Sequence, residues 1–148
     1  MEHVVVRWEP EQGGYWVDPR AYQAVLADMA ASLPEGAREF ALDPQHYDFA
    51  SDRCVKDLWF RSLEVDDAAG TARLSFGPNN AKHTVGLHLE YCGVVSVGIS
   101  RDRDPGVGWL GSLLLDELRP SPDGVIHEFA LTGGSLHVVA EDVKATWG

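Results

Sequence analysis

The chain has 148 residues, 45% of them hydrophobic and 24% charged, with 23 Asp and Glu against 12 Lys and Arg for a formal net charge of −11. That length suits one domain over 1–148 whose core needs no disulfide staples, and five Trp with a mean hydropathy of −0.17 are unlike a disordered acidic tail. The acidic excess argues against nucleic-acid phosphates or anionic lipid as partners, because both are captured by clustered Lys and Arg.

Only Val4, Val5 and Val6 form an apolar run before Arg7, whereas a secretory signal needs about 7–15 such residues. No segment approaches the ~20 apolar residues of a membrane-spanning helix, so a cytosolic location is expected. Val4 to Val6 with Trp8 predicts a first strand, Gly13-Gly14 a turn, and Tyr15-Trp16-Val17 a second strand. Asp18-Pro19 then predicts a helix start, with Asp18 as cap and Pro19 at the first helical position, where its missing N–H costs nothing. Tyr22, Val25, Leu26, Met29 and Leu33 follow at helical spacing, and the helix is expected to stop near Ser32, ahead of Pro34. This stripe reads as packing against a sheet.

Residues 40–52 are polar and aromatic and read as a loop with a short turn. From Cys54 the pattern becomes period two. A long strand is expected over 54–65, with a bulge near Arg61-Ser62, since Leu58 and Phe60 have the opposite parity to Leu63 and Val65. Strands over 71–76 and 83–91 follow. In the second, Val85, Leu87, Leu89 and Tyr91 share one face and Thr84, His88 and Glu90 the other, and the apolar parity continues through Val95, Val97 and Ile99. Further strands are expected over 112–119, 125–131 and 136–141. The fold class is therefore α+β, mainly an antiparallel β-sheet meander with one N-terminal amphipathic helix packed on it.

Catalytic and cofactor motifs fail on inspection. Gly106-Val107-Gly108-Trp109-Leu110-Gly111 has the spacing of a dinucleotide loop, but Asp102 and Asp104 would repel phosphates, Trp109 fills the loop, and too little chain precedes Pro120 for a crossover helix. Asp102, Asp104 and Gly106 do not make a calcium loop, because Leu113 stands where the closing Glu is needed. His127-Glu128 begins like a zinc-protease motif and ends on Leu131. Cys54 and Cys92 have no metal or redox spacing and read as two buried free thiols. No catalytic residue, cofactor or metal is assigned. The one enzyme-like constellation joins His127, His137 and Glu117 or Glu128, while His127, sharing a strand face with Val125, Phe129 and Leu131, reads better as a hydrogen-bonded core histidine.

The remaining signal is acidic. Asp43, Asp48, Asp52 and Asp57 surround Tyr47, Phe49 and Trp59; Glu64, Asp66 and Asp67 form a second group; Asp102 and Asp104 lie beside Trp109. Carboxylates around aromatic anchors suit the capture of a basic protein, in which charge raises the on-rate and rings supply desolvated contact. The expected partner-binding residues are Tyr47, Asp48, Asp52, Asp57, Trp59, Asp102, Asp104 and Trp109.

Four segments, Lys56 to Val65, Leu87 to Val94, Leu113 to Leu118 and Val125 to Gly134, resemble small β-rich bacterial proteins of immunity type. The resemblance spans residues 54–147. Such proteins are associated with polymorphic toxin systems and act by binding and blocking a cognate toxin. It implies a non-enzymatic acidic protein that occludes a basic toxin domain, with a small enzyme or metal-binding protein built on His127 and His137 as the alternative.

Overall fold

The computed structural model describes residues 1–102 and 109–148. A hairpin of β1 (Val5–Glu9) and β2 (Gly14–Asp18) leads into α1 (Arg20–Met29), a 3-10 turn over Ala30–Ser32, and α2 (Glu35–Ala41). Eight strands follow: β3 (Trp59–Asp66), β4 (Thr71–Gly77), β5 (Leu87–Cys92), β6 (Ser96–Arg101), β7 (Leu113–Ser121), β8 (Gly124–Leu131), β9 (Gly134–Ala140) and β10 (Asp142–Trp147). They form two antiparallel sheets of order β10-β5-β4-β3 and β6-β9-β8-β7. The fold is α+β, with antiparallel pairing throughout.

The core lies between the sheets. Leu74, Phe76, Leu87, Leu89, Tyr91 and Val143 face inward from the first sheet, and Val125, Phe129, Leu136 and Val138 from the second. Rings of Phe76 and Phe129 meet across the gap at 5.8 Å. The strands expected to form one meander are thus divided between two layers, because the chain changes sheet after Cys92 and again at Glu141. At the second change a single residue separates β9 from β10, and Gly124 (φ 127) lies against the carbonyls of Ala140 and Glu141, where any side chain would collide.

The bulge in β3 falls between Phe60 and Ser62, as expected. Phe60 and Leu63 must both face the core opposite Phe76 and Leu74, which are two residues apart on β4, so the odd spacing on β3 requires an extra residue. Arg61 is that residue. Its guanidinium lies over Gly77, which has no side chain to obstruct it. The segment before β3 is not strand: Val55 and Leu58 turn into the core and Asp57 adopts φ 76.

α1 ends at Met29 and the 3-10 turn carries the helical run to the expected Ser32; the cap position falls on Pro19, one residue later than expected, while the Asp18 carboxylate accepts the Arg20 N–H at 2.9 Å. Tyr22, Leu26 and Leu33 are buried, and the Tyr22 hydroxyl donates to the Leu118 carbonyl at 2.7 Å, fixing α1 against β7. Two elements depart from expectation. α2 arises in Glu35–Ala41, where Gly36 weakens the helical pattern and no local residue caps it. Its cap is tertiary: the Asp142 carboxylate accepts the N–H groups of Gly36 at 3.0 Å and Ala37 at 2.9 Å. β10, the other addition, pairs with β5 from Asp142↔Cys92 to Trp147↔Leu87 and supplies that carboxylate.

Candidate functional site

Strand parity places Asp116 and Leu118 of β7 on the inner face of their sheet, opposite Phe129 and His127. The Asp116 carboxylate is fully buried and bridges two imidazoles, His46 Nε2 at 2.7 Å and His127 Nε2 at 2.8 Å. His46 Nδ1 lies 2.9 Å from the Phe40 carbonyl, so both nitrogens of that ring face acceptors. His127 Nδ1 instead meets the Tyr91 hydroxyl, a group able to donate to it, at 2.8 Å. Burial alone would raise the Asp116 carboxyl, but the His46 charge and the bonds from both histidines hold it well below the usual range. Burial pushes the His127 imidazole down despite its bond to Asp116.

This trio joins α2, the loop after it and both sheets. His46, Asp116 and His127 are 0–1% exposed, so no substrate reaches them, and the core-histidine reading of His127 holds. Their effect is on pH response. His127 has an ordinary value of 6.5 and a lower one when folded, so the unfolded chain binds a proton that the folded chain refuses. Its stabilisation is full above pH 6.5 and is lost as pH falls through the folded value. Asp116 adds a second loss below its ordinary 3.8. Burial raises Tyr47 and Tyr91 well above 10.0, so stability also falls where the unfolded chain loses those protons. The urea midpoint is expected to be highest between those limits and to drop between pH 6.5 and 5; a level midpoint there would show that His127 accepts its proton in the fold.

The enzyme-like constellation is split by register. His127 pairs with Val138 and Glu128 with His137, so His137 and Glu128 share the outer face while His127 faces the core. Glu117, opposite Glu128, is fully buried by other means: its carboxylate accepts the N–H groups of Glu2, His3 and Val4 at 2.7–2.9 Å, with Arg119 Nε 3.0 Å away. Among the described residues, no group of three or more His, Cys, Asp and Glu is placed to hold a metal ion.

The expected partner-binding residues are also scattered. Tyr47 is no surface anchor: it is 7% exposed, stacked on His46 at 4.1 Å, with its hydroxyl donating to the Asp116 carbonyl. Tyr22 of α1 meets it edge-on at 5.5 Å. Asp48 and Asp52 are exposed, but Asp57 is paired with Lys56 at 2.7 Å and Lys82 at 3.6 Å. The same two lysines lie over the exposed ring of Phe49. Trp109 packs on Phe60 at 5.7 Å beneath the Arg101 guanidinium, while Trp59 is turned to the opposite face of β3. Asp102 is exposed; Asp104, like Gly106 and Gly108, lies outside the described residues. Among the described residues Asp57 is the one of these carboxylates paired with a cation, and primary sequence could not show the part played by Lys82.

A denser acidic group lies elsewhere, on the outer face of β10-β5-β4-β3. Register aligns Lys144, Glu90, Arg73 and Glu64 in one row across the four strands. Asp142, Cys92, Thr71 and Asp66 form the adjacent row, so Cys92 is exposed by the same parity and is not a core thiol. Three adjoining grooves of about 530, 520 and 290 Å³ cover this face and the side of α2. They are lined by seven carboxylates, Glu35, Glu39, Glu64, Asp66, Asp67, Glu90 and Asp142, against two cations, Arg73 and Lys144. The group at 64–67 and the polar face of His88 and Glu90 are visible in the sequence; their union with α2 depends on strand order. Arg73 lies 3.5 Å from Glu90 with both side chains largely in water, so the pair leaves the face strongly negative. No protein-family model matches the chain, and a search of curated proteins returns no match.

Proposed function

We propose that the protein is a non-enzymatic, immunity-like binding protein that neutralises a basic toxin domain by occlusion in the bacterial cytosol. The observation that carries this reading is the outer face of β10-β5-β4-β3, where seven carboxylates meet two cations over adjoining grooves. A surface of one sign raises the encounter rate with a partner of the other, and the grooves give basic side chains places where water is partly excluded.

The test is association with the basic polypeptide that co-purifies from the native host. Glu39, Glu64 and Asp67 are exposed, so Glu39→Lys, Glu64→Lys and Asp67→Lys together should leave thermal unfolding almost unchanged. The on-rate at low salt is expected to fall by about 10–100-fold in this triple variant, and the wild-type rate to fall steeply with added salt. A partner whose on-rate ignored both changes would remove the basis of the proposal.

A further inference from the structure

β3 is an edge of its sheet, and only its beginning is covered. Phe60 N donates to the Gly111 carbonyl at 3.0 Å, Leu113 N to the Leu58 carbonyl at 2.8 Å, and Trp59 bridges to Ser112. From Ser62 to Asp66, among the described residues, pairing is with β4 alone. Alternate backbone N–H and C=O groups along this stretch therefore face outward, as they do on any edge strand.

The side chains define what kind of strand this edge admits. Glu64 and Asp66 belong to the acidic outer face, whereas Leu63 and Val65 have the inner parity. Leu63 packs against the core, but Val65 is 51% exposed, past the cover of the other sheet. A second copy of β3 would bring carboxylates against carboxylates, which is unfavourable for cross-strand neighbours. An incoming strand with Lys or Arg on alternate positions meets opposite charges on one face and can cover Val65 on the other.

We propose that β3 accepts an added β-strand from the basic partner, with its basic side chains beside Glu64 and Asp66 and its apolar ones beside Leu63 and Val65. This rests on the reading of the acidic face as a capture surface and names the way the partner docks on it. Backbone hydrogen bonds supply pairing and the alternating pattern supplies selectivity.

The experiment titrates the intact protein with a short peptide alternating Lys and Val, and with the same peptide N-methylated throughout its backbone. Methylation keeps the charge and removes every ladder donor. The expected result is slowed amide exchange within Ser62–Asp66, binding at least about tenfold weaker for the methylated peptide, and weaker binding of the unmodified one to Glu64→Lys. If both peptides bind equally and slow no β3 amide, strand addition is overturned and capture by the charged face stands. If neither binds, strand addition is overturned too, and capture is decided separately by the salt response of the co-purified partner.

Discussion

Replacing Asp116 by Ala is expected to lower the unfolding free energy by about 3–5 kcal/mol, the cost of leaving two buried ring nitrogens without their partner. For a chain of this size that is roughly 10 °C in Tm. The cause is what stays behind: His46 keeps the Phe40 carbonyl but loses the partner of its Nε2, and His127 loses the partner of its own. Asp116→Asn tests the charge apart from the shape. Its amide keeps one acceptor oxygen and places a donor where the other carboxylate oxygen stood, so one ring must change tautomer to stay paired, and the loss is expected to be smaller than for Asp116→Ala. Replacing His46, Asp116 and His127 together by apolar residues removes the orphaned rings and leaves the Tyr91 hydroxyl as the one group without its partner, and is expected to cost less than Asp116→Ala alone. Urea unfolding of the three variants measures this order. A triple variant no better than the single one would mean that packing, not polar satisfaction, sets the energy of the site.

Glu117→Ala is expected to cost about 2–4 kcal/mol, and its most direct signature is local. The carboxylate is the acceptor for three consecutive backbone N–H groups at Glu2, His3 and Val4, a segment that lies 113–115 residues away in sequence. Without it those donors regain partners only by leaving for water, which also uncovers Val4, 7% exposed in the fold. Amide exchange at Glu2 to Val4 is expected to become as fast as in an unstructured chain, while exchange in β8 and β9 stays slow. Glu117→Gln retains one acceptor oxygen and should fall between. Persisting protection of the Val4 amide in Glu117→Ala would show that hairpin packing, not the carboxylate, holds the segment down.

Local patterns made much of the fold legible, and long-range placement supplied the rest. Alternation located β4, β5, β8 and β9 because each has one buried face, as Leu87, Leu89 and Tyr91 against His88, Glu90 and Cys92 illustrate. The β3 bulge was legible for the same reason, since a parity change leaves its mark in any strand that must keep facing the core. α2 was hidden because its cap stands at Asp142, and β10 because only Glu141 separates it from β9. Of the site, the role of His127 followed from its apolar neighbours, but nothing near His46 or Asp116 announces that they meet 70 residues apart. The acidic groups at 48–57 and at 64–67 look alike in sequence. Only pairing distinguishes them: Lys56 and Lys82 neutralise Asp57, while strand register gathers Glu64 and Asp66 with Glu90.

The distant cap of α2 also bears on the order in which the molecule assembles. A helix of seven residues is too short to persist alone in water, and this one starts after Pro34 with a glycine in its first turn. While the ribosome has yet to reach residue 142, the N–H groups of Gly36 and Ala37 have no carboxylate to receive them. α2 is therefore expected to form late despite its early place in the chain, after β10 has docked.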